Sequence, residues 1–184
     1  MPEAAVDTNW LLDVALQRDA GSESLWAIAL AGEIRLFVPA ICITEAIKVL
    51  DGWDKEWRRF SDHFRAFSGI ATTEDQLQAT AELADRAERQ TWETLEQVTA
   101  QAELLEIRRT TIARASSIRD FLKLSAADAF VLSLVVDACE AGVCHDFVSR
   151  DTAFGRNETR SYMQQIGLTH WNSAAAFLAA KRAR

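Results

Sequence analysis

The sequence has few of the residues that mark specialised classes of protein. Its three cysteines form no CxxC pair and its three histidines no HxxxH pair, so the usual patterns of disulfide scaffolds and zinc sites are missing. It has no apolar run of about 18 residues, the length that a membrane span needs, and residues 1–7 lack the basic and apolar regions of a signal peptide. We therefore expect a cytoplasmic protein with reduced thiols and no membrane partner.

An excess of positive charge is also missing. The formal net charge of the 184 residues is −7, which argues against a protein that coats nucleic acid non-specifically but leaves room for a local basic patch. With 49% hydrophobic residues, a chain of this length can bury the core of one domain. We expect residues 1–184 to form a single domain.

Short apolar runs and helical segments alternate along much of the chain. Four runs rich in β-branched or aromatic residues predict strands, namely AAVD, IRLFVP, DFVSR and GLTHW. Between them, segments such as TNWLLDVALQRD, AICITEAIKVLDGW and AADAFVLSLVVDACEAG have helical spacing. This alternation predicts an α/β fold in which helices flank a parallel sheet of about four strands.

Glycine and proline are absent between Gly69 and Gly142, and most of that interval has the pattern of a helix. We expect residues 51–121 to form a long helical insertion within the domain. An apolar stripe with three- and four-residue spacing runs along it, formed by Trp92, Leu95, Val98, Ala102 and Leu105. A stripe of this length needs a cover, so we expect a homodimer or a helical protein partner.

Four acids occupy positions where chemistry is possible. Asp7 and Asp151 follow the first and third predicted strands, and open parallel sheets bind ligands at the carboxyl ends of their strands. Glu45 is the lone charge in the apolar stretch 41–47 of the helix after Pro39, and Asp128 opens another apolar helix. Buried carboxylates need protons or cations nearby. Mg²⁺ or Mn²⁺ would suit these oxygen ligands and would activate water against a phosphodiester.

Each acid also has a structural explanation. Asp7 suits the N-cap of the next helix, and Asp151 suits a turn. Asp128 stands three residues after Ser125, which is the spacing of a capping box. Glu45 is harder to explain in this way, because a mid-helix carboxylate among apolar neighbours gains nothing from capping. Taken together, the order and positions of the four acids favour a site.

The motifs VDTNWLL, VPAICITEAIKVL, SAADAFVLSLV and FVSRDTAF resemble, in this order, the acidic motifs of PIN domains. The resemblance covers about residues 3–50 and 122–182. It implies a metal-dependent endoribonuclease, most often a VapC-like toxin that an antitoxin neutralises. It also implies that four acids bind Mg²⁺ or Mn²⁺ and catalyse hydrolysis of RNA: Asp7, Glu45, Asp128 and Asp151.

Two features depart from the family's pattern. Many members carry a further acid two residues after the last one, where this chain has Ala153. Asn157 is expected to help at that position, and Asn9 to support the metal ligands. Compact toxins of the family lack an insertion as long as residues 51–121. The alternative function is therefore an inactive PIN-like scaffold that binds proteins through this insertion.

Charges are sorted along the predicted insertion. Residues 74–106 hold nine acids against two arginines, whereas residues 107–123 hold five basic residues against Asp120 alone. We expect the basic end to lie beside the four acids and to contact RNA phosphates. This substrate-binding role is predicted for Arg108, Arg109 and Arg114. A solvated helix face is the alternative.

Overall fold

The computed structural model describes residues 1–52 and 74–183. Part of the predicted insertion, residues 53–73, therefore lies outside the described residues. The described residues form five strands: β1 (Glu3–Val6), β2 (Arg35–Pro39), β3 (Glu103–Leu105), β4 (Asp146–Val148) and β5 (Thr169–Trp171). The described residues also form nine helices: α1 (Thr8–Ala15), α2 (Ala20–Leu30), α3 (40–52), α4 (Glu74–Gln101), α5 (Arg109–Leu122), α6 (Ala126–Glu140), α7 (Thr152–Gly155), α8 (Asn157–Gln165) and α9 (Ala174–Arg182).

The strands form one sheet in the order β3-β2-β1-β4-β5, and every pair is parallel. The predicted α/β class with a parallel, helix-flanked sheet is confirmed, and the architecture is consistent with a PIN-like fold. From β1 the chain moves outward through β2 to β3, and it then returns to place β4 on the other side of β1. The strand order therefore reverses between β1 and β4, and such a switch point opens a crevice at the carboxyl ends of the two strands.

One strand lies where the sequence predicts helix. The prediction of continuous helix through the interval without glycine or proline is wrong at β3, which pairs with the edge of β2. Arg35 of β2 reinforces this pairing because its Nε lies 2.9 Å from Oε1 of Glu103. Ladder hydrogen bonds to β2 thus outweigh the helical pattern over three residues.

The apolar stripe of the predicted insertion is covered by the chain itself. Leu95 and Val98 of α4 are buried in the common core, and α4 packs against α1. Three further stripe residues are partly buried against the same core: Trp92, Ala102 and Leu105. The stripe therefore gives no reason to expect a second copy or a helical partner, and the partner itself stays a prediction.

Burial fixes the centre of the sheet. Ala4, Ala5 and Val6 of β1 are small and fully buried, as the continuous apolar pattern of a central parallel strand requires. Phe147 of β4 is also fully buried and meets Phe154 edge to face, with ring centroids 5.1 Å apart. A buried phenylalanine side chain contributes about 1.5–3 kcal/mol, so burial of Phe147 and Phe154 stabilises the position of β4 beside β1. None of the described helices is both long and apolar enough to cross a membrane.

Candidate active site

Asp7 stands at the end of the central strand. β1 ends at Val6, and Asp7 is the N-cap of α1, where its Oδ1 accepts a hydrogen bond of 2.9 Å from the Trp10 backbone N–H. The residue is only 4% exposed. The expected capping role of Asp7 is therefore confirmed, and it uses one of the two carboxylate oxygens.

Ser149 connects Asp7 to the other side of the switch point. Val6 pairs with Val148, so the next residues, Asp7 and Ser149, leave the sheet side by side. The Ser149 hydroxyl donates a hydrogen bond of 2.5 Å to Oδ2 of Asp7. Sequence reasoning missed Ser149, because a single serine carries no pattern of its own. The signal was its place directly after a buried strand that neighbours the strand of Asp7.

Asp151 follows two residues later and lies in the same cluster. Its backbone N–H donates to the Ser149 Oγ at 3.1 Å, and its Oδ1 accepts from the Ala153 N–H at 2.7 Å, as the N-cap of α7. The charge of Asp151 acts on Asp7. The structure therefore brings the predicted first and last acids together, with Ser149 between them.

The electrostatics of Asp7 favour a bound cation. Burial raises the pKa of Asp7 to about 6, although the hydrogen bonds from Ser149 and Trp10 oppose the rise. Both of these donors are neutral, while the charges of Asp151 and Asp13 are negative and raise the pKa of Asp7 further. A positive ion in this crevice would remove the penalty of ionising Asp7 at neutral pH.

Glu45 reaches the cluster from α3. It is half-buried, and Oε2 of its carboxylate accepts a hydrogen bond of 2.5 Å from the hydroxyl of Thr8, the residue after Asp7. Cys42, one turn earlier on α3, is fully buried. Burial is the main cause that raises the pKa of the Cys42 thiol, and the charges of Asp7 and Glu45 raise it further. Both acids therefore lie near one thiol, which places Glu45 on the same side of the sheet as Asp7.

Asp128 lies in the first turn of α6, where its backbone N–H donates to Ser125 Oγ at 3.1 Å and the same hydroxyl donates to its Oδ2 at 2.7 Å. The expected capping partner is thus confirmed. Arg156, which follows α7, donates at 3.2 Å to the carbonyl of Leu122, just before α6. This bond ties the end of α5 to the segment after Asp151, and within the described residues no hydrogen bond joins Asp128 to the other three acids.

The donor chemistry of this region suits a hard divalent cation. Asp7, Glu45 and Asp151 offer carboxylate oxygens, the ligand type that Mg²⁺ and Mn²⁺ prefer. Within the described ranges, no group of three or more His, Cys, Asp and Glu side chains is arranged closely enough to hold an ion. The acids fit the predicted metal in donor type and charge, but the described structure does not bring three of them within reach of one ion, so metal binding by these four residues stays a prediction.

The two asparagines lie in different surroundings. Asn9 is half-buried in the first turn of α1, whereas Asn157 is exposed at the start of α8. Asn157 lines a groove between α5 and α8 together with Phe121 and Tyr162. No hydrogen bond joins either asparagine to the four acids in the part of the chain that the structure describes. Their supporting role stays a prediction.

The predicted substrate-binding arginines separate into two groups. Arg108 and Arg109 are exposed at the start of α5. Arg114 instead pairs with Asp137 at 3.2 Å and Glu140 at 2.6 Å. These two acids lie in the last turns of α6, roughly 14 Å or more along the helix axis from Asp128 in its first turn. The structure therefore does not bring Arg114 to the four acids, and RNA contact by Arg108 and Arg109 stays a prediction.

An ion pair between a buried carboxylate and a half-exposed guanidinium borders the cluster and was missed from the sequence. The Asp13 side chain on α1 is 1% exposed, and Arg150 Nη2 lies 2.6 Å from its Oδ1 and 2.5 Å from its Oδ2. Arg18 Nη2 is 3.3 Å from Oδ1. Burial raises the pKa of Asp13 overall, while both arginines act to lower it. The overlooked signal was a charged residue flanked by leucines and valine in the middle of an apolar helix.

Comparison with known proteins adds no relative to this description. No protein-family model matches the chain, and no curated protein sequence matches it. The interpretation of the site therefore depends on the geometry and chemistry of its residues.

Proposed function

We propose that the protein is a hydrolase, a Mg²⁺- or Mn²⁺-dependent endoribonuclease of the PIN type. The observation that carries this proposal is the buried carboxylate of Asp7 at the switch point, surrounded by neutral donors and negative charges. Such a carboxylate is poorly solvated and carries its charge beside other negative charges, so it has much to gain from binding a cation. Ligands of open parallel sheets bind at this place in the fold.

The proposed roles follow from the contacts. Asp7 and Asp151 would hold the metal, with Glu45 and Asp128 completing its set of ligands. When bound, the ion would lower the pKa of a water molecule and stabilise the charge that develops on the phosphodiester. Ser149 fixes Oδ2 of Asp7 and the backbone of Asp151 at once.

Thr8 has a corresponding role on the other side of Asp7. Its hydroxyl donates to Oε2 of Glu45 and so sets the direction in which the second oxygen, Oε1, points. A carboxylate on a helix has several rotamers, and one short hydrogen bond selects among them. Thr8 therefore helps to aim Glu45 at the crevice.

The choice of RNA as substrate comes from the resemblance to PIN domains. The same source supplies the more specific proposal, a cytoplasmic toxin whose partner is an antitoxin. The competing function, an inactive scaffold that binds proteins through its helical insertion, is less favoured, because the apolar stripe around Leu95 and Val98 is already buried in the chain's own core.

Cleavage of labelled RNA by the purified protein tests the proposal. We expect cleavage with Mg²⁺ or Mn²⁺, none in excess chelator, and loss of about a hundredfold or more in rate for Asp7→Asn and for Asp151→Asn. The matched control is Asp19→Asn. Asp19 is also the N-cap of a helix, α2, and it accepts from the Ser22 backbone N–H at 2.7 Å.

Asp19→Asn removes a capping carboxylate that accepts hydrogen bonds from Ser22 and not from a residue of the cluster, so it should cleave at the parental rate. Cleavage that persists in chelator would rule out the metal mechanism. Equal rates for the parent, Asp7→Asn and Asp151→Asn would show that a contaminating nuclease, or a different site, performs the reaction. A purified protein that binds no Mn²⁺ in calorimetry would also contradict the proposal.

A further inference from the structure

The Asp13–Arg150 ion pair connects α1 to the segment that carries part of the proposed site. Arg150 stands between Ser149 and Asp151 in the sequence. Its guanidinium contacts both oxygens of Asp13 through one nitrogen, while Asp13 itself is buried. Asp13 therefore contacts residues 149–151, through Arg150, although it belongs to a different element, α1.

Two tethers hold this short segment. Side chains in an extended segment alternate in direction, and here Ser149 is bonded to Asp7 whereas Arg150 is bonded to Asp13. Asp7 caps the helix on which Asp13 lies. Both tethers therefore end on α1, and the backbone that presents Asp151 is attached to that helix twice.

Stability alone gives a weak reason for such a pair. The side chain of Arg150 is 47% exposed while that of Asp13 is 1% exposed, and ion pairs with a solvent-exposed partner contribute about 1 kcal/mol or less. Asp13 also adds a negative charge near Asp7, which opposes ionisation of Asp7. By contrast, residues that orient metal ligands from behind commonly change metal affinity or activity by about 10–100-fold.

We propose that Asp13 is a positioning residue of the active site, which acts through Arg150 to hold the carboxylate of Asp151 in the place where it binds the metal. This inference rests on the proposed function and adds a residue to it. Arg150 is the link, because it is the neighbour of Asp151 along the chain and the partner of Asp13 across the fold. Neither residue touches the metal in this proposal.

The test compares Asp13→Asn and Arg150→Gln with the matched control Arg18→Gln. Arg18 also lies beside Asp13, but it is not part of residues 149–151. Two readouts are measured on the full chain: hydrogen exchange of the backbone amides of Asp151 and Ala153, and Mn²⁺ affinity by calorimetry. The two amides report directly on position, because they bond to Ser149 Oγ and to Asp151 Oδ1.

We expect both amides to exchange at least tenfold faster in Asp13→Asn and Arg150→Gln, and Mn²⁺ affinity to fall about tenfold or more. Arg18→Gln should change neither quantity by more than about twofold. The amide of Ala176, which bonds to Ser173 Oγ at the start of α9, serves as the reference for general destabilisation and should exchange at the parental rate in all three variants.

Failure of the inference and failure of the proposed function are distinguishable. Unchanged exchange at Asp151 and Ala153 overturns the positioning role, whether or not the parent binds Mn²⁺. Faster exchange with parental Mn²⁺ affinity also overturns it, because the segment would then move without affecting the metal. A parent protein that binds no Mn²⁺ overturns the proposed function itself.

If Asp13→Asn does not fold, the variants of Arg150 still test the proposal. Arg150→Gln leaves Asp13 beside Arg18, so its buried carboxylate retains a cation. Arg150→Lys keeps the charge of the link but replaces the planar guanidinium with a compact ammonium group on a flexible stem. We expect Arg150→Lys to recover part of the Mn²⁺ affinity that Arg150→Gln loses, whereas equal loss in the two variants would show that charge at this position has no part in positioning.

Discussion

The hydroxyl of Ser149 donates a hydrogen bond of 2.5 Å to Oδ2 of Asp7, a residue 142 positions earlier in the chain. Both residues are buried, and they follow the two strands between which the strand order reverses. The other oxygen of Asp7 caps α1. The carboxylate of Asp7 therefore caps a helix and is also a proposed metal ligand. Its ionisation should change the free energy of unfolding of the protein.

The first prediction concerns the pH dependence of that stability. Burial raises the pKa of Asp7 from 3.8 to about 6, so Asp7 favours folding in its protonated form. This contribution is complete below pH 3.8 and is lost as the pH rises through about 6. At about 1.4 kcal/mol per pKa unit, ionised Asp7 reduces the free energy of unfolding by about 3 kcal/mol in metal-free protein.

Asp7→Asn should remove this loss, since asparagine also caps helices well. Urea titrations in chelator should show the variant gaining up to about 3 kcal/mol relative to the parent between about pH 4 and pH 8. Asp19→Asn is the control of opposite sign, because hydrogen bonds from Ser22 lower the pKa of Asp19. Its stability relative to the parent should fall as the pH rises. An Asp7→Asn difference that is the same at both pH values would contradict the assignment.

The second prediction separates Ser149 from an ordinary buried serine. Ser149→Ala leaves Oδ2 of Asp7 without its hydroxyl donor, and a hydrogen bond to a charged group contributes about 1.5–3 kcal/mol. Ser133→Ala is the matched control, because Ser133 is equally buried but donates only to the Ala129 carbonyl of its own helix. In chemical denaturation at about pH 8, Ser149→Ala should lose more stability than Ser133→Ala.

Mn²⁺ affinity provides the second readout for the same pair. We expect about a tenfold loss for Ser149→Ala and no change for Ser133→Ala. Equal affinities in the two variants would mean that the Ser149 hydroxyl serves the fold alone.

The sequence predicts the buried central strands of the sheet better than the edge strand β3. The strands that contain Val6 and Phe147 are predictable because a central parallel strand must be apolar throughout. The edge strand β3 is not, because Glu103 and Leu104 are exposed and only pairing with β2 distinguishes them from helix. The local sequence pattern predicts secondary structure poorly where pairing with another strand determines it.

The same distinction holds for the site. Asp7 and Asp151 are predictable because strand ends collect at one edge of a sheet. Ser149 and Arg150 are not, because their partners lie more than a hundred residues away in sequence. Arg114 was assigned to the substrate from charge sorting alone, whereas Asp137 and Glu140 of the neighbouring helix pair with it. Charge sorting along the sequence does not reveal that the acids of α6 pair with Arg114 of α5.

The third prediction concerns the link between Thr8 and Glu45. Thr8→Val keeps the shape of the side chain but removes the hydroxyl that donates to Glu45 at 2.5 Å. We expect Mn²⁺ affinity to fall about tenfold, because Glu45 is then free to adopt other rotamers. Thr8→Ser retains the hydroxyl and should restore most of the affinity. Calorimetry on the three proteins decides the matter, and an affinity that follows side-chain volume rather than the hydroxyl would count against the role of Thr8.

The last prediction distinguishes substrate contact from a structural ion pair among the arginines of α5. Arg108 and Arg109 are exposed, so Arg108→Gln with Arg109→Gln should leave the melting temperature within about 1 °C of the parent. If the two side chains contact RNA phosphates, the double variant should weaken binding of a catalytically inert RNA and reduce the salt slope of log affinity by up to about 2.

Arg114→Gln should behave in the opposite way. It breaks the contacts with Asp137 and Glu140, and partly exposed pairs of this kind contribute about 1 kcal/mol or less. We therefore expect a small loss of melting temperature with an unchanged salt slope. Binding measured from about 50 to 300 mM salt tests both variants. A parental slope in the Arg108 and Arg109 double variant would show that these side chains form a solvated face, and that RNA approaches the four acids from another direction.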